Sequence, residues 1–138
     1  MIQLIIGEKG HGKTKILLEK ANSAIKVANG NIVYLDKSKQ HMYELHNRVR
    51  LIDVTNYPIE NSDGLIGFLC GLISRDNDLE QIYLDSFLKI AYINDESELN
   101  PMLDRIAKIS EKFGVDFIIS ISTTKDKLSE THQASVID

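Results

Sequence analysis

Residues Gly7 to Thr14 read Gly-Glu-Lys-Gly-His-Gly-Lys-Thr, and their setting constrains the fold more than any other stretch of the chain. Just before them stands Ile2-Gln3-Leu4-Ile5-Ile6, a short apolar run of the kind that forms a buried strand. From Gly12 onward the hydrophobic period changes. Leu17, Ala21, Ala24 and Ala28, flanked by Leu18 and Ile25, fall on one face of a helix. Asn29-Gly30 then supplies a stop. A strand that passes through a glycine-rich loop into a helix is the opening half of a crossover unit, which calls for a parallel partner strand.

The rest of the chain keeps that alternation. Ile32 to Leu35 reads as a second strand ending at Asp36. Ser38 is placed to cap a short helix that gathers Met42, Leu45 and Val49. Arg50 to Val54 reads as a third strand, and Thr55 to Asn61 as a loop broken by Pro58. Ser62 is the expected cap of a helix carrying Leu65, Phe68, Leu69, Leu72 and Ile73. This helix is apolar almost all round and is therefore expected to be well buried. Its Gly64, Gly67 and Gly71 each cost about 1 kcal/mol of helix propensity, for which close packing on the sheet is the expected compensation. Gln81 to Leu84 forms a fourth strand ending at Asp85, and Asn94 to Glu98 a polar loop. Asn100-Pro101 reads as the cap and first position of a helix carrying Leu103, Ile106, Ile109 and Phe113, with Gly114 ending it. Phe117 to Ile121 is the fifth strand. The expectation is one α/β domain over residues 1–124, a three-layer α/β/α fold on a mostly parallel five-stranded sheet. Residues 125–138 are expected to form a loosely ordered polar tail.

Composition excludes several function classes. The chain has 138 residues, enough for one domain. Cys70 is its single cysteine, so an internal disulfide and a cysteine-rich zinc site are ruled out. The net charge of −4, from 16 basic and 20 acidic residues, argues against coating of nucleic acid. The longest apolar run, Leu65 to Ile73, is about half a membrane span. A cytoplasmic protein without membrane or nucleic-acid partners is expected.

Gly7 to Thr14 matches G-x-x-x-x-G-K-[ST] between a strand and a helix, the context that this phosphate-binding motif requires. Gly7, Gly10 and Gly12 let the backbone wrap closely round phosphate oxygens with its N–H groups inward. Glu8, Lys9 and His11 fill the variable positions and contribute main-chain groups to the cradle. The following helix adds its positive end. Lys13 supplies a charge to the β- and γ-phosphates, and the Thr14 hydroxyl is a Mg²⁺ ligand. Such a site needs a second metal anchor at another strand end; Asp85 is the expected one, acting through a coordinated water. ATP and Mg²⁺ are the implied ligands.

The order of these features resembles the RecA-like ATPase core. It runs from the loop at Gly7–Thr14 through the strand ending Tyr34-Leu35-Asp36, the short strand Leu51–Val54 and Leu84-Asp85-Ser86, to a last strand ending Ser122-Thr123-Thr124. The resemblance covers residues 1–124 and implies an ATP-binding module with RecA-like strand order, acting through self-assembly or a protein partner. It also implies a water-polarising glutamate after the second strand or directly after Asp85. Those positions hold Ser38 and Ser86. Asp36 or Glu44 could substitute, although a structural role is the plainer reading of each. A missing general base costs about 10²–10⁴ in rate, so slow or partner-dependent hydrolysis is expected. Thr123 is the expected polar sensor, and Lys125 and Lys127 stand where related ring ATPases present basic residues to a neighbour. Two alternatives remain open: a small-molecule kinase with Asp36 as acceptor base, and a non-hydrolysing nucleotide sensor. The segment after Asp85 is acidic at Asp95, Glu96 and Glu98, which disfavours nucleic acid.

Overall fold

A computed structural model describes residues 1–10 and 12–137. It contains five strands, β1 (Ile2–Ile6), β2 (Asn31–Asp36), β3 (Val49–Asp53), β4 (Leu79–Leu84) and β5 (Asp116–Ile121). They form one all-parallel sheet in the order β1-β5-β4-β2-β3. Three longer helices flank it: α1 (Lys13–Ile25), α2 (Ser62–Arg75) and α4 (Leu99–Phe113). The short helices α3 (Phe87–Ile90) and α5 (Glu130–Gln133) complete it.

The period-2 alternation of the strands sorts the core into two layers. Ile5, Ile32, Tyr34, Tyr83 and Ile118 face α1, where Leu17, Leu18, Ala21 and Ile25 are buried. Leu4, Val33, Leu35, Ile82, Leu84, Phe117 and Ile119 face the opposite way, against α2, α3 and α4. On α4 the stripe Leu99, Met102, Leu103 and Ile106 lies on the sheet. Burial of such side chains stabilises by roughly 1.5–3 kcal/mol each. The α/β class and the layered parallel sheet are as the sequence predicts.

Several local expectations are corrected. Between β2 and β3 there is no capped helix, only a 3-10 turn at Met42–Glu44; Met42 is exposed, while Leu45 and Val49 reach the core in extended backbone. Asn61, not Ser62, caps α2 by accepting a hydrogen bond from the Gly64 N–H. The Ser62 hydroxyl donates instead to the carbonyl of Ala91. Asn100 lies inside α4 and does not cap it. Its side chain holds the C-terminal segment, donating to the Lys127 carbonyl and accepting from the Ser129 N–H.

That segment is not a loose tail. Leu128 and His132 are buried, and His132 Nε2 lies 2.7 Å from Asp104 Oδ1. Ser135 to Ile137 then run beside the outer edge of β1: the Leu4 N–H donates to the Ser135 carbonyl and the Ile137 N–H to the Leu4 carbonyl. The segment shields part of an otherwise open sheet edge. Its polar composition hid this, because two buried side chains and a pair of main-chain bonds leave no hydrophobic period.

Two of the three glycines of α2, Gly67 and Gly71, lack the close packing expected of them. Only Leu65, Leu69 and Ile73 of this helix are buried, and a Cβ at Gly67 or Gly71 would meet nothing within 4 Å. Neither glycine is held by packing, so Gly67→Ala and Gly71→Ala should each stabilise the fold by about 0.5–1 kcal/mol. Gly30 is the opposite case: a Cβ there would sit 1.9 Å from the Asp78 carbonyl oxygen. Gly30→Ala should destabilise by about 1–3 kcal/mol. Urea midpoints of the three variants at unchanged slope check both signs.

Candidate phosphate and metal site

Because every strand runs the same way, all five carboxyl ends meet at one sheet edge, where ligands bind in open α/β folds. The Gly7–Thr14 loop leaves the end of β1 there and enters α1. Gly10 (φ +88°) and Gly12 (φ +82°) occupy the left-handed region, which a side chain would strain. Among the described residues no side chain caps α1, and its first turn holds no acidic residue. The helix therefore offers unpaired N–H groups and its positive end to an anion. His11 lies outside the described residues.

A cleft of about 540 Å³ opens between this loop, α3 and the ends of β2, β4 and β5. Lys9, Lys13, Lys37 and Lys89 line it, against one carboxylate, Asp85. Lys13 Nζ donates to the Glu8 carbonyl at 2.8 Å, folding across the loop. Partial burial holds the Lys13 ammonium below the usual lysine range, and the Asp85 charge opposes that shift.

Asp85 is the hub of the site. It is 2% exposed and accepts four hydrogen bonds. Oδ1 takes Thr14 Oγ1 at 3.2 Å, Ser120 Oγ at 2.8 Å and the Ser86 N–H at 2.8 Å; Oδ2 takes Tyr34 Oη at 2.7 Å. Burial, and then the Asp85 charge, push the Tyr34 hydroxyl well above the usual tyrosine range, so it stays a donor. Tyr34 stacks on Tyr83 at 6.0 Å between ring centres. Ser86 sits at φ 54°, left-handed without being glycine, and its N–H also reaches Ser120 Oγ at 3.1 Å. Such a backbone costs of order 1–3 kcal/mol and persists only where its surroundings enforce it.

Loop and strand end thus bring a hydroxyl and a carboxylate together, as the expected metal pair requires. Among the described residues no group of three or more His, Cys, Asp or Glu side chains could hold a metal ion. One hydroxyl and one carboxylate do fit Mg²⁺, which keeps several waters and takes further oxygens from substrate phosphates. Thr14 and Asp85 are the residues that would hold it.

Asp36 ends β2 beside Asp85, whose N–H donates to the Leu35 carbonyl. It is 2% exposed and does not line the cleft. Oδ1 accepts the Lys37 N–H, and Oδ2 has no hydrogen-bond partner among the described residues. Desolvation, then the Asp85 charge, raise its carboxyl above the usual carboxylate range. The native state therefore binds more protons than the unfolded chain between the two pKa values, and stability falls as pH rises through that window. Asp36→Asn should remove this loss. The variant, which cannot ionise, should gain on the parent in stability as pH rises through that window. The advantage should shrink toward acid pH in urea titrations.

The other candidates scatter. Glu44 is exposed and pairs with His41. Ser120 and Ser122 line the cleft, while Thr123 does not. Lys127 pairs with Glu96 at 3.2 Å. Tyr34, Lys37 and Ser120 were missed as site residues. For Tyr34 and Ser120 there was a signal: each sits one or two residues before a strand's carboxyl end, and a buried hydroxyl needs a partner. Among the described residues no helix is long and apolar enough to cross a membrane. No protein-family model matches the chain and no curated protein matches it, so the geometry carries the functional reading.

Proposed function

We propose that the protein is a RecA-like P-loop module that binds Mg²⁺ and ATP and hydrolyses it slowly or only with a partner. The observation that carries this reading is the Thr14 hydroxyl 3.2 Å from the buried Asp85 carboxylate, under a glycine loop and beside a cleft with four lysines. A bound triphosphate would lie along the loop N–H groups and the α1 end, with Lys13 leaving the Glu8 carbonyl for its β- and γ-oxygens. Mg²⁺, when bound, would neutralise charge on those oxygens. Tyr34 and Ser120 hold Asp85 in one orientation toward Thr14.

The sheet order supports the RecA-like reading over the kinase-like one. β5 lies between β1 and β4, so one strand separates the loop-bearing strand from the strand ending in Asp85. The kinase alternative needs Asp36 as an accessible base, and Asp36 is buried away from the cleft lining. The same geometry supports the reading of slow turnover. Asp85 is the only carboxylate lining the cleft among the described residues, and its four accepted hydrogen bonds hold it as an anchor, not a base. Acceptor-independent release of ADP, measured with and without candidate partners and lost in Lys13→Ala, tests the activity; no ADP under any condition would leave the sensor reading.

A further inference from the structure

Next to the phosphate cleft lies a second chamber of about 340 Å³ that the proposed function does not use. Its walls are Val54 and Ile59, from the connection between β3 and α2, and Ile90 at the end of α3. Tyr92, half-exposed and held at φ 55°, closes one side. Lys37 and Lys89 line both the chamber and the cleft, so they form the boundary between the two. No acidic side chain lines the chamber, and neither lysine forms an ion pair with a described residue.

We infer that this chamber is a second binding subsite, for a small organic anion with an apolar body. The apolar part would fill the space between Val54, Ile59 and Ile90, with the Tyr92 ring against it. The anionic group would sit on Lys37 and Lys89. Small-molecule sites have this character: mostly apolar lining with a few placed polar groups that fix orientation. A volume of about 340 Å³ lies at the small end of such sites. Charge selects the class. Two unpaired ammonium groups and no carboxylate favour an anion over a neutral or cationic ligand of the same shape. The inference rests on the phosphate reading of the adjacent cleft in one respect: Lys37 and Lys89 then meet anions from both sides, and occupancy of the two chambers is coupled.

The probe is 8-anilinonaphthalene-1-sulfonate, an apolar aromatic anion, titrated into the full chain without nucleotide. Binding is followed by fluorescence and by backbone amide shifts. The expected result is saturable one-to-one binding with the largest shifts at Thr55, Ile59, Ile90 and Tyr92. The double variant Lys37→Gln/Lys89→Gln should weaken it about tenfold, and the uncharged N-phenyl-1-naphthylamine should bind more weakly than the anion. Shifts that map elsewhere, no saturable binding, or equal affinity in the double variant would overturn the subsite. Magnesium-ATP binding is measured on the same sample. If the probe maps to the chamber while ATP fails to bind, only the phosphate reading falls; if ATP binds and the probe maps elsewhere, only the subsite falls.

Discussion

Lys13→Ala should abolish the stabilisation that Mg²⁺ and ATP give the parent protein. At a hundred times its dissociation constant a ligand adds about 2.7 kcal/mol to the native state. For a domain of this size that is a rise in melting temperature of roughly 8 °C. The variant should melt normally without ligand, because among the described residues the Lys13 side chain makes a single hydrogen bond, to the Glu8 carbonyl of its own loop. A difference scan of the two proteins, with and without 5 mM-scale nucleotide and metal, reads the effect directly. Equal stabilisation of both would remove the lysine from the site.

The second large effect is expected at Asp85, and there the two obvious variants should part company. Asp85→Ala deletes the acceptor of four hydrogen bonds and strands the Tyr34 hydroxyl in the core. Hydrogen bonds to charged groups contribute about 1.5–3 kcal/mol each, although losses within one network do not add. A drop of about 3 kcal/mol or more is expected in urea unfolding. Asp85→Asn keeps the shape and the Oδ1 acceptor, and its amide can donate to Tyr34 Oη. It should cost less than the alanine variant, because all four bonds lose their charge assistance but none of the four partners is stranded. It should nevertheless lose the magnesium dependence of nucleotide binding. If Asp85→Asn bound Mg²⁺ and ATP like the parent, Asp85 would be a structural strand-end aspartate alone.

What the sequence made legible follows from the reach of its signals. The strand–loop–helix at Ile2–Ile25 was readable because the motif and two hydrophobic periods agree over one stretch. The position of Asp85 just past the end of β4 was readable because strand ends gather at one edge of a parallel sheet. The hydroxyls that hold it were harder: Tyr34 and Ser120 stand 51 and 35 residues away along the chain, and only the β2–β4–β5 pairing brings them together. The tail failed for a related reason. Its hold on the fold lies in long-range bonds of Asn100, Asp104 and Leu4, none of which has a local period. The glycines of α2 failed differently, since helical spacing gave the buried stripe but not its width.

Asp36 sits between these cases. Its place at the end of β2 is legible in the sequence, which leaves a base and a structural role both open for it and favours the structural one. Burial, with one oxygen unpartnered among the described residues, makes it a carboxyl that resists ionisation beside Asp85. The same neighbour that anchors the proposed metal thus disfavours a second charge at the strand ends, the behaviour of two carboxylates brought close.

In the proposed function Thr14 and Asp85 form one half of a Mg²⁺ site completed by nucleotide phosphate. Equilibrium titration of ATP at a series of Mg²⁺ concentrations, on the parent and on Asp85→Asn, tests this pairing. Affinity for the parent should rise steeply with Mg²⁺ and that of the variant should stay flat. Binding to the parent that ignores Mg²⁺, or a rise of the same size in both proteins, would contradict it.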